Sequence, residues 1–256
     1  MMPEMLLFVL CGLLAGLLGG YLGLGGGIVM VPFLTVVAGL NIKVAVPVSV
    51  TAIVVNSLAS SNEYLKKGMV DLELVVALSV FSILGNITGS NLIDAVPGNV
   101  IRLILAVILA YTALSLLTKK GPEKRVGFED NRRRYLMVCV VIAFLAGVLS
   151  ALVGIGGGVI LVPLLYTIIG LPLTTARGTS SLMIGFSSAA AAAVYLLNER
   201  TDFAVVAPVA AGIIVGAKLG GFLGTMAKPV AVKILFFLVM LYLAYKLSYD
   251  ALAGVI

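Results

Sequence analysis

Long stretches of this chain carry no charge at all. Met5–Leu22, Leu136–Val153 and Gly178–Leu197 contain no charged residue, and Leu74–Ile93 and Phe203–Thr225 contain at most one. A helix that crosses a bilayer needs about 20 predominantly apolar residues. The pattern predicts membrane-spanning helices at 5–22, 44–64, 72–93, 100–118, 136–153, 175–196, 203–225 and 230–250. Two shorter apolar pieces, 28–40 and 159–171, each follow a cluster of glycines.

Composition agrees with that pattern. Of 256 residues, 61% are hydrophobic and 11% charged, with a mean hydropathy of +1.20. Soluble domains are about 45–50% apolar and about 25% charged. The expected fold is an all-α polytopic membrane protein of the cell (plasma or inner) membrane, with the lipid bilayer as its solvent. The opening "MMPEM" lacks a basic segment, so no cleaved signal peptide is predicted. Net charge is +6, but the basic residues lie in loops, which reads as membrane topology and not as nucleic-acid binding. There is no histidine and no tryptophan. Any aromatic belt must come from tyrosines such as Tyr21, Tyr64, Tyr135 and Tyr195. Cys11 and Cys139 each sit alone in an apolar run and read as small core residues. No metal and no cofactor is implied.

The chain repeats itself. A shift of 131 residues places Gly16 on Gly147, Gly23 on Gly154, Pro32 on Pro163 and Gly39 on Gly170, without a gap. The same shift matches Ser49 with Ser180, Ser57 with Ser188, Tyr64 with Tyr195, Asp71 with Asp202 and Gly85 with Gly216. This reads as two homologous repeats of about four spans each, with a glycine-broken first helix in each half. The first transmembrane repeat is 1–118, a basic cytoplasmic linker is 119–134, and the second repeat is 135–256. The stretch 118–135, "TKKGPEKRVGFEDNRRRY", has seven Lys/Arg against three acids, and short basic loops face the cytoplasm.

The short pieces decide the topology. If each is a separate half-helix, each half crosses an odd number of times and the repeats are inverted. If each extends the first helix, the repeats are parallel. Lys66 and Lys67 follow the second long span in half one, whereas Arg177, Lys218, Lys228 and Lys233 fall toward the other side in half two. Opposite bias in matched halves favours inverted repeats; Lys43 and Arg102 run against it.

The glycine clusters read "GLGGG" (23–27) and "GIGGG" (154–158). Three glycines are poor helix interior, at about 1 kcal/mol each relative to alanine. Pro32 and Pro163, five residues on, suit the first turn of a following helix. A helix start presents free N–H donors and partial positive charge, which suit an anion. Broken helices at matched positions of two halves point to a transporter's binding site. Gly25, Gly26, Gly27, Gly156, Gly157 and Gly158 are therefore candidate substrate contacts; a packing kink is the plain alternative. Gly12, Gly16 and Gly20, and Gly212, Gly216, Gly220 and Gly224, recur every four residues and read as helix-packing faces. A nucleotide site does not fit, because no Lys-Ser/Thr follows the glycines.

Polar residues inside spans are costly and often functional. "VPVSVTAIVVNSLASSN" (46–62) and "RGTSSLMIGFSSAAAA" (177–192) are unusually polar for spans. Ser49, Asn56, Thr179, Ser180 and Ser187 are candidate donors to an oxyanion, and Arg177 a candidate clamp. Interhelical hydrogen bonding, and a snorkelling arginine, are the structural alternatives. Asn86, Asn91 and Lys218 are weaker candidates. Every Asp and Glu lies near a span end, which argues against a buried carboxylate relay and leaves no pair of acids for hydrolysis. An enzyme is not expected.

"GLLGGYLGLGGGIVMVPFL" (16–34), "GVLSALVGIGGGVILVPLL" (147–165) and "ARGTSSL" (176–182) resemble the TauE/SafE sulfite exporter family of membrane permeases. The resemblance implies a secondary transporter exporting small sulfur-containing anions such as sulfite or organosulfonates. The site would lie between the repeats, and access would alternate as one half rocks against the other. In half one the "GTS" positions are Pro47, Val48 and Ser49, so the halves need not contribute equally. A passive anion channel, a transporter of other small organic anions, and a membrane scaffold are the alternatives. Two routes to proton coupling stay open, the substrate's own protonation and an end-located acid such as Glu63, and a homodimer is a further expectation.

Overall fold

The computed structural model describes residues 2–118, 132–226 and 230–252. Most of the expected basic linker, 119–131, lies outside them, as does Lys228. Among the described residues the chain is all-helical: α1 (Met2–Leu22), α2 (Gly27–Pro32), α3 (Ile42–Lys66), α4 (Leu72–Leu92), α5 (Gly98–Thr118), α6 (Arg132–Val153), α7 (Gly158–Pro163), α8 (Leu173–Leu197), α9 (Phe203–Thr225) and α10 (Val230–Leu252). Among the described residues five helices, α1, α3, α4, α8 and α9, are long and apolar enough to cross a membrane. With lipid-length apolar helices and exposed leucines and valines on their outer faces, this is a multi-pass membrane protein.

The short apolar pieces are separate elements. α1 ends at Leu22, and the chain passes through Gly23, Gly25 and Gly26 at positive φ before α2 starts. Gly154, Gly156 and Gly157 do the same between α6 and α7. Positive φ at successive positions is open to glycine at no steric cost, which explains the cluster. Pro32 and Pro163 do not occupy a first turn, as the sequence suggested, but the sixth and last residue of α2 and α7. From there the winding widens into π-helix, Phe33–Val37 and Leu164–Ile168. Proline lacks an N–H and crowds the carbonyl four residues back, so looser winding relieves it. In the widened turns, hydroxyls bond backbone carbonyls: Thr35 donates to Val31 and Pro32, and Thr167 to Pro163.

Packing pairs the helices across the chain. α1 lies along α9, α6 along α4, α3 against both α8 and α9, and α5 against α10. The glycine stripes are the seams. A Cβ at Gly212 would lie 2.0 Å from the Val9 carbonyl oxygen, and one at Gly147 would lie 2.3 Å from that of Ser82. Backbone touches backbone there, as small-residue stripes allow in lipid. Gly12 meets Val209, Gly16 meets Ala217 and Gly20 meets Gly221, so α1 and α9 run in the same direction. In contrast, Ser57 faces Gly185, Ser60 bonds Ser181 at 2.7 Å, and Tyr64 faces Gly178, so α3 and α8 run antiparallel. The stripe at Gly212–Gly224 is thus occupied within the chain.

The tyrosines proposed for a belt behave differently. Tyr21, Tyr64 and Tyr195 are buried, while Tyr111, Tyr242, Tyr245 and Tyr249 are exposed; the side chain of Tyr135 lies outside the described residues. The Tyr64 hydroxyl donates to the Gly20 and Tyr21 carbonyls at the end of α1, and Tyr195 donates to Ala151 at the end of α6. Helix ends leave carbonyls without intrahelical partners, and a phenol from the neighbouring long helix satisfies them. Asp71 and Asp202 cap α4 and α9, accepting from Leu74 and Ala204. Both cysteines are buried and free.

If each tyrosine serves one helix end, Tyr64→Phe and Tyr195→Phe should each lower stability by about 1 kcal/mol. Melting of the purified protein in detergent would measure it. Two unshifted transitions would show the phenols to be idle.

Candidate functional site

The two glycine turns meet at the centre of the molecule. A Cβ at Gly27 would lie 2.1 Å from the Gly154 carbonyl oxygen, and one at Gly158 would lie 2.5 Å from the Leu24 Cα. Ile53 and Ile184, both buried near the middle of α3 and α8, clasp this junction; each has side-chain atoms 3.1–3.4 Å from where Cβ atoms of Gly25 and Gly156 would be. The starts of α2 and α7 therefore converge. Gly26 and Gly157 cap these helices in the left-handed conformation without a side-chain hydrogen bond.

The long central helices tie the turns in place reciprocally. Ser49 on α3 donates to the Gly154 carbonyl at 2.7 Å, and Ser180 on α8 donates to the Gly23 carbonyl at 3.1 Å. Each turn is thus held by a hydroxyl from the other half of the chain. A serine has one proton to donate, and both are spent here, so in this conformation neither can donate to an anion. Ser187 donates within its own helix to Ile184 at 3.4 Å. The Thr179 hydroxyl accepts from the backbone N–H of Asp71 at 2.9 Å, and its own proton has no acceptor among the described residues.

Arg177 stands apart. It is 9% exposed, and its backbone packs against Gly23, where a Cβ would come within 2.6 Å. Its guanidinium lies over the Tyr21 ring, 5.2 Å from the centroid. Among the described residues no carboxylate pairs with it. An aromatic face offsets part of the cost of burying a cation, but an arginine held in the interior of a membrane protein generally finds a counter-charge. The position matched to Arg177 in half one is Val46, and that matched to Thr179 is Val48. The junction is therefore symmetric in backbone and one-sided in charge.

Asn56 is the other unusual group. It is fully buried beside Gly19 and Gly26, and neither amide atom has a hydrogen-bond partner among the described residues. Of the weaker candidates, Asn86 is buried on α4 with its amide donating to Ser82, while Asn91 and Lys218 are exposed.

The candidate residues thus gather around one junction, with the six glycines at its centre, Ser49 and Ser180 fastening it, and Arg177 and Thr179 on one side. Ile53, Ile184 and Tyr21 escaped the sequence reading because isoleucine and tyrosine in a span look like packing. The signal available was the pairing of Ile53 with Ile184 under the same shift that pairs the glycines.

Comparison with known proteins agrees with this architecture. The profile of the family described as "Sulfite exporter TauE/SafE" matches residues 8–247. A "Probable membrane transporter protein" of Xylella fastidiosa (strain Temecula1) is 29% identical over 206 residues, covering 80% of this chain and 77% of that one. The "Probable membrane transporter protein YunE" of Bacillus subtilis (strain 168) is 26% identical over 96% of this chain and 98% of its own length. "Sulfite exporter TauE/SafE family protein 6" of Arabidopsis thaliana is 33% identical over a shorter stretch, 39% of this chain and 23% of that one. No solved structure matches significantly. These names describe transporters and not enzymes, and with a family match over nearly its whole length, the chain belongs to the TauE/SafE family of membrane transporters.

Proposed function

We propose that the protein exports small sulfur-containing anions, such as sulfite or organosulfonates, by alternating access at the glycine junction. The observation that carries this reading is Arg177: a buried, aromatic-stacked cation without a carboxylate, beside the turn that begins a half-helix. An anion there would meet the guanidinium, the free proton of Thr179 and the N–H groups at the start of α2. The family description supports the sulfur chemistry.

The same reading takes the chain as two inverted repeats. Its support is that matched helices α3 and α8 run antiparallel and that the breaks isolate α2 and α7 as half-helices. The bodies that move differ from the two sequence halves first expected. α1 is bound to α9 and α6 to α4 through bare backbone, so these mixed pairs travel as units around α3 and α8. Direct contact between the turns favours alternation over an open channel, since an anion can enter only when the turns part. Lys66 and Lys67 end α3 where it packs on the start of α8 and Arg177, and basic residues at one end mark it as cytoplasmic in this reading.

Two measurements test this. In proteoliposomes, labelled sulfite or taurine should show saturable flux that Arg177→Gln lowers at least about tenfold, the scale of one lost charge-assisted hydrogen bond; full flux in a monodisperse Arg177→Gln protein would remove the proposed site. For topology, in a background with Cys11 and Cys139 replaced, Lys66→Cys should react with an impermeant maleimide only from the cytoplasmic face and Glu199→Cys only from the opposite one. Labelling of both from one face would overturn the inverted arrangement.

A further inference from the structure

We propose that Asn56 selects the singly protonated form of an oxyanion, so that the substrate itself carries the coupling proton. This rests on the anion site proposed above and concerns what that site recognises.

Asn56 is fully buried halfway along α3, and both its amide nitrogen and its amide oxygen lack partners. Two such atoms at membrane depth cost several kcal/mol unless something pairs with them. The amide does not point away from the junction. It lies in the notch between Gly19 and Gly26, its nitrogen 2.6 Å and 2.9 Å from where Cβ atoms of those glycines would be. Gly26 is the cap of α2, so Asn56 is held against the turn that has to move. The matched residue in half two, Ser187, has its hydroxyl bonded to its own helix. At this matched position only half one leaves a group in want of a partner.

An amide offers one kind of atom that donates and another that accepts. A fully deprotonated oxyanion can only accept, and would leave the Asn56 oxygen unpaired and facing negative charge. A singly protonated oxyanion satisfies both atoms: an oxyanion oxygen accepts from Nδ2, and the acid O–H donates to Oδ1. An arginine tuned to anions and an amide that needs a donor together describe a monoanion bearing a hydroxyl.

Beside Asn56 itself the described residues offer the proton no carboxylate; the acid nearest the anion site is Asp71, whose backbone N–H bonds Thr179. α1, packed on this part of α3, carries Tyr21 and Cys11; α9 carries Lys218, which is exposed; α8 carries Arg177. On α3 itself, Tyr64 donates to α1 backbone, and Glu63 lies seven residues nearer the helix end, paired with Lys66 at 2.9 Å. Asp71 caps α4 at that same end. Among these groups no carboxylate stands at the depth of Asn56, and the chain has no histidine. The proton bound to the oxyanion stays bound through the crossing and dissociates in the compartment it enters, so no group of the protein changes protonation.

The test uses purified protein in proteoliposomes loaded with a pH-sensitive dye, protein-free vesicles being subtracted. The probes are sulfite, which titrates between monoanion and dianion near neutrality, and methanesulfonate, which has no proton to lose there. Sulfite flux should fall from mildly acidic to mildly alkaline pH in step with its singly protonated fraction and should acidify the lumen, whereas methanesulfonate flux stays flat. Asn56→Leu, and the milder Asn56→Ser, should each lower the sulfite-to-methanesulfonate flux ratio about tenfold at acidic pH; methanesulfonate flux in the same preparation reports folded protein. Sulfite flux independent of pH, or an unchanged ratio in either variant, overturns the role of Asn56 and leaves anion transport standing. If wild-type protein moves neither probe at any pH, the anion-transport reading falls and takes this inference with it.

Discussion

Two interrupted helices that meet backbone to backbone at their glycine turns set the terms for the rest of the molecule. In a bilayer interior water cannot satisfy exposed peptide groups, so a broken helix is tolerable only where protein supplies the missing partners. Here the partners come from the long central helices. Ser49 and Ser180 bond the turn carbonyls, and Tyr64 and Tyr195 bond the carbonyls at the ends of α1 and α6. Glycine is what permits the approach, since the missing side chains at Gly27 and Gly158 would collide with the opposite backbone. The hydroxyls and the glycines are thus two answers to one requirement.

On that matched framework the chemistry is lopsided. Arg177, Thr179 and Ser181 stand where half one has Val46, Val48 and Val50, and Asn56 stands where half two has Ser187. The backbone bonds are kept on both sides, while the Arg177 charge falls in half two and the Asn56 amide in half one. The serines that fasten the turns come in a matched pair, whereas Arg177, Thr179 and Asn56 have no like residue at the matched position. This is a physical reason to separate the serines at 49 and 180 from the arginine, although all three looked alike as polar residues in spans.

The spans, the breaks and the glycine seams were legible in the sequence because lipid enforces simple rules: apolar length for spans, small residues for close packing, and glycine where φ turns positive. The division of labour within the site was less legible. Nothing in a run of serines says whether a hydroxyl will meet a carbonyl of the other half or remain free, because the partner lies 105 residues away for Ser49 and 157 for Ser180. The prolines were misplaced by one turn because the sequence does not announce the π-winding that follows them at Phe33–Val37 and Leu164–Ile168. The buried tyrosines were taken for interfacial ones because a tyrosine near a span end has the same local signature whether its hydroxyl finds water or the end of another helix.

The parallel seam between α1 and α9 bears on how such a chain is made. Gly12 and the residues it touches, Val209 and Ile213, are separated by almost the whole polypeptide. While the ribosome is still synthesising the first half, the bare glycine face of α1 and the Gly23 carbonyl have no protein to meet, and only lipid or the insertion machinery can shield them. Contacts this distant in sequence form late. The first five helices are therefore an unfinished object in the membrane, and an interrupted message would yield a product exposing polar backbone to hydrocarbon, recognisable as defective by that exposure alone.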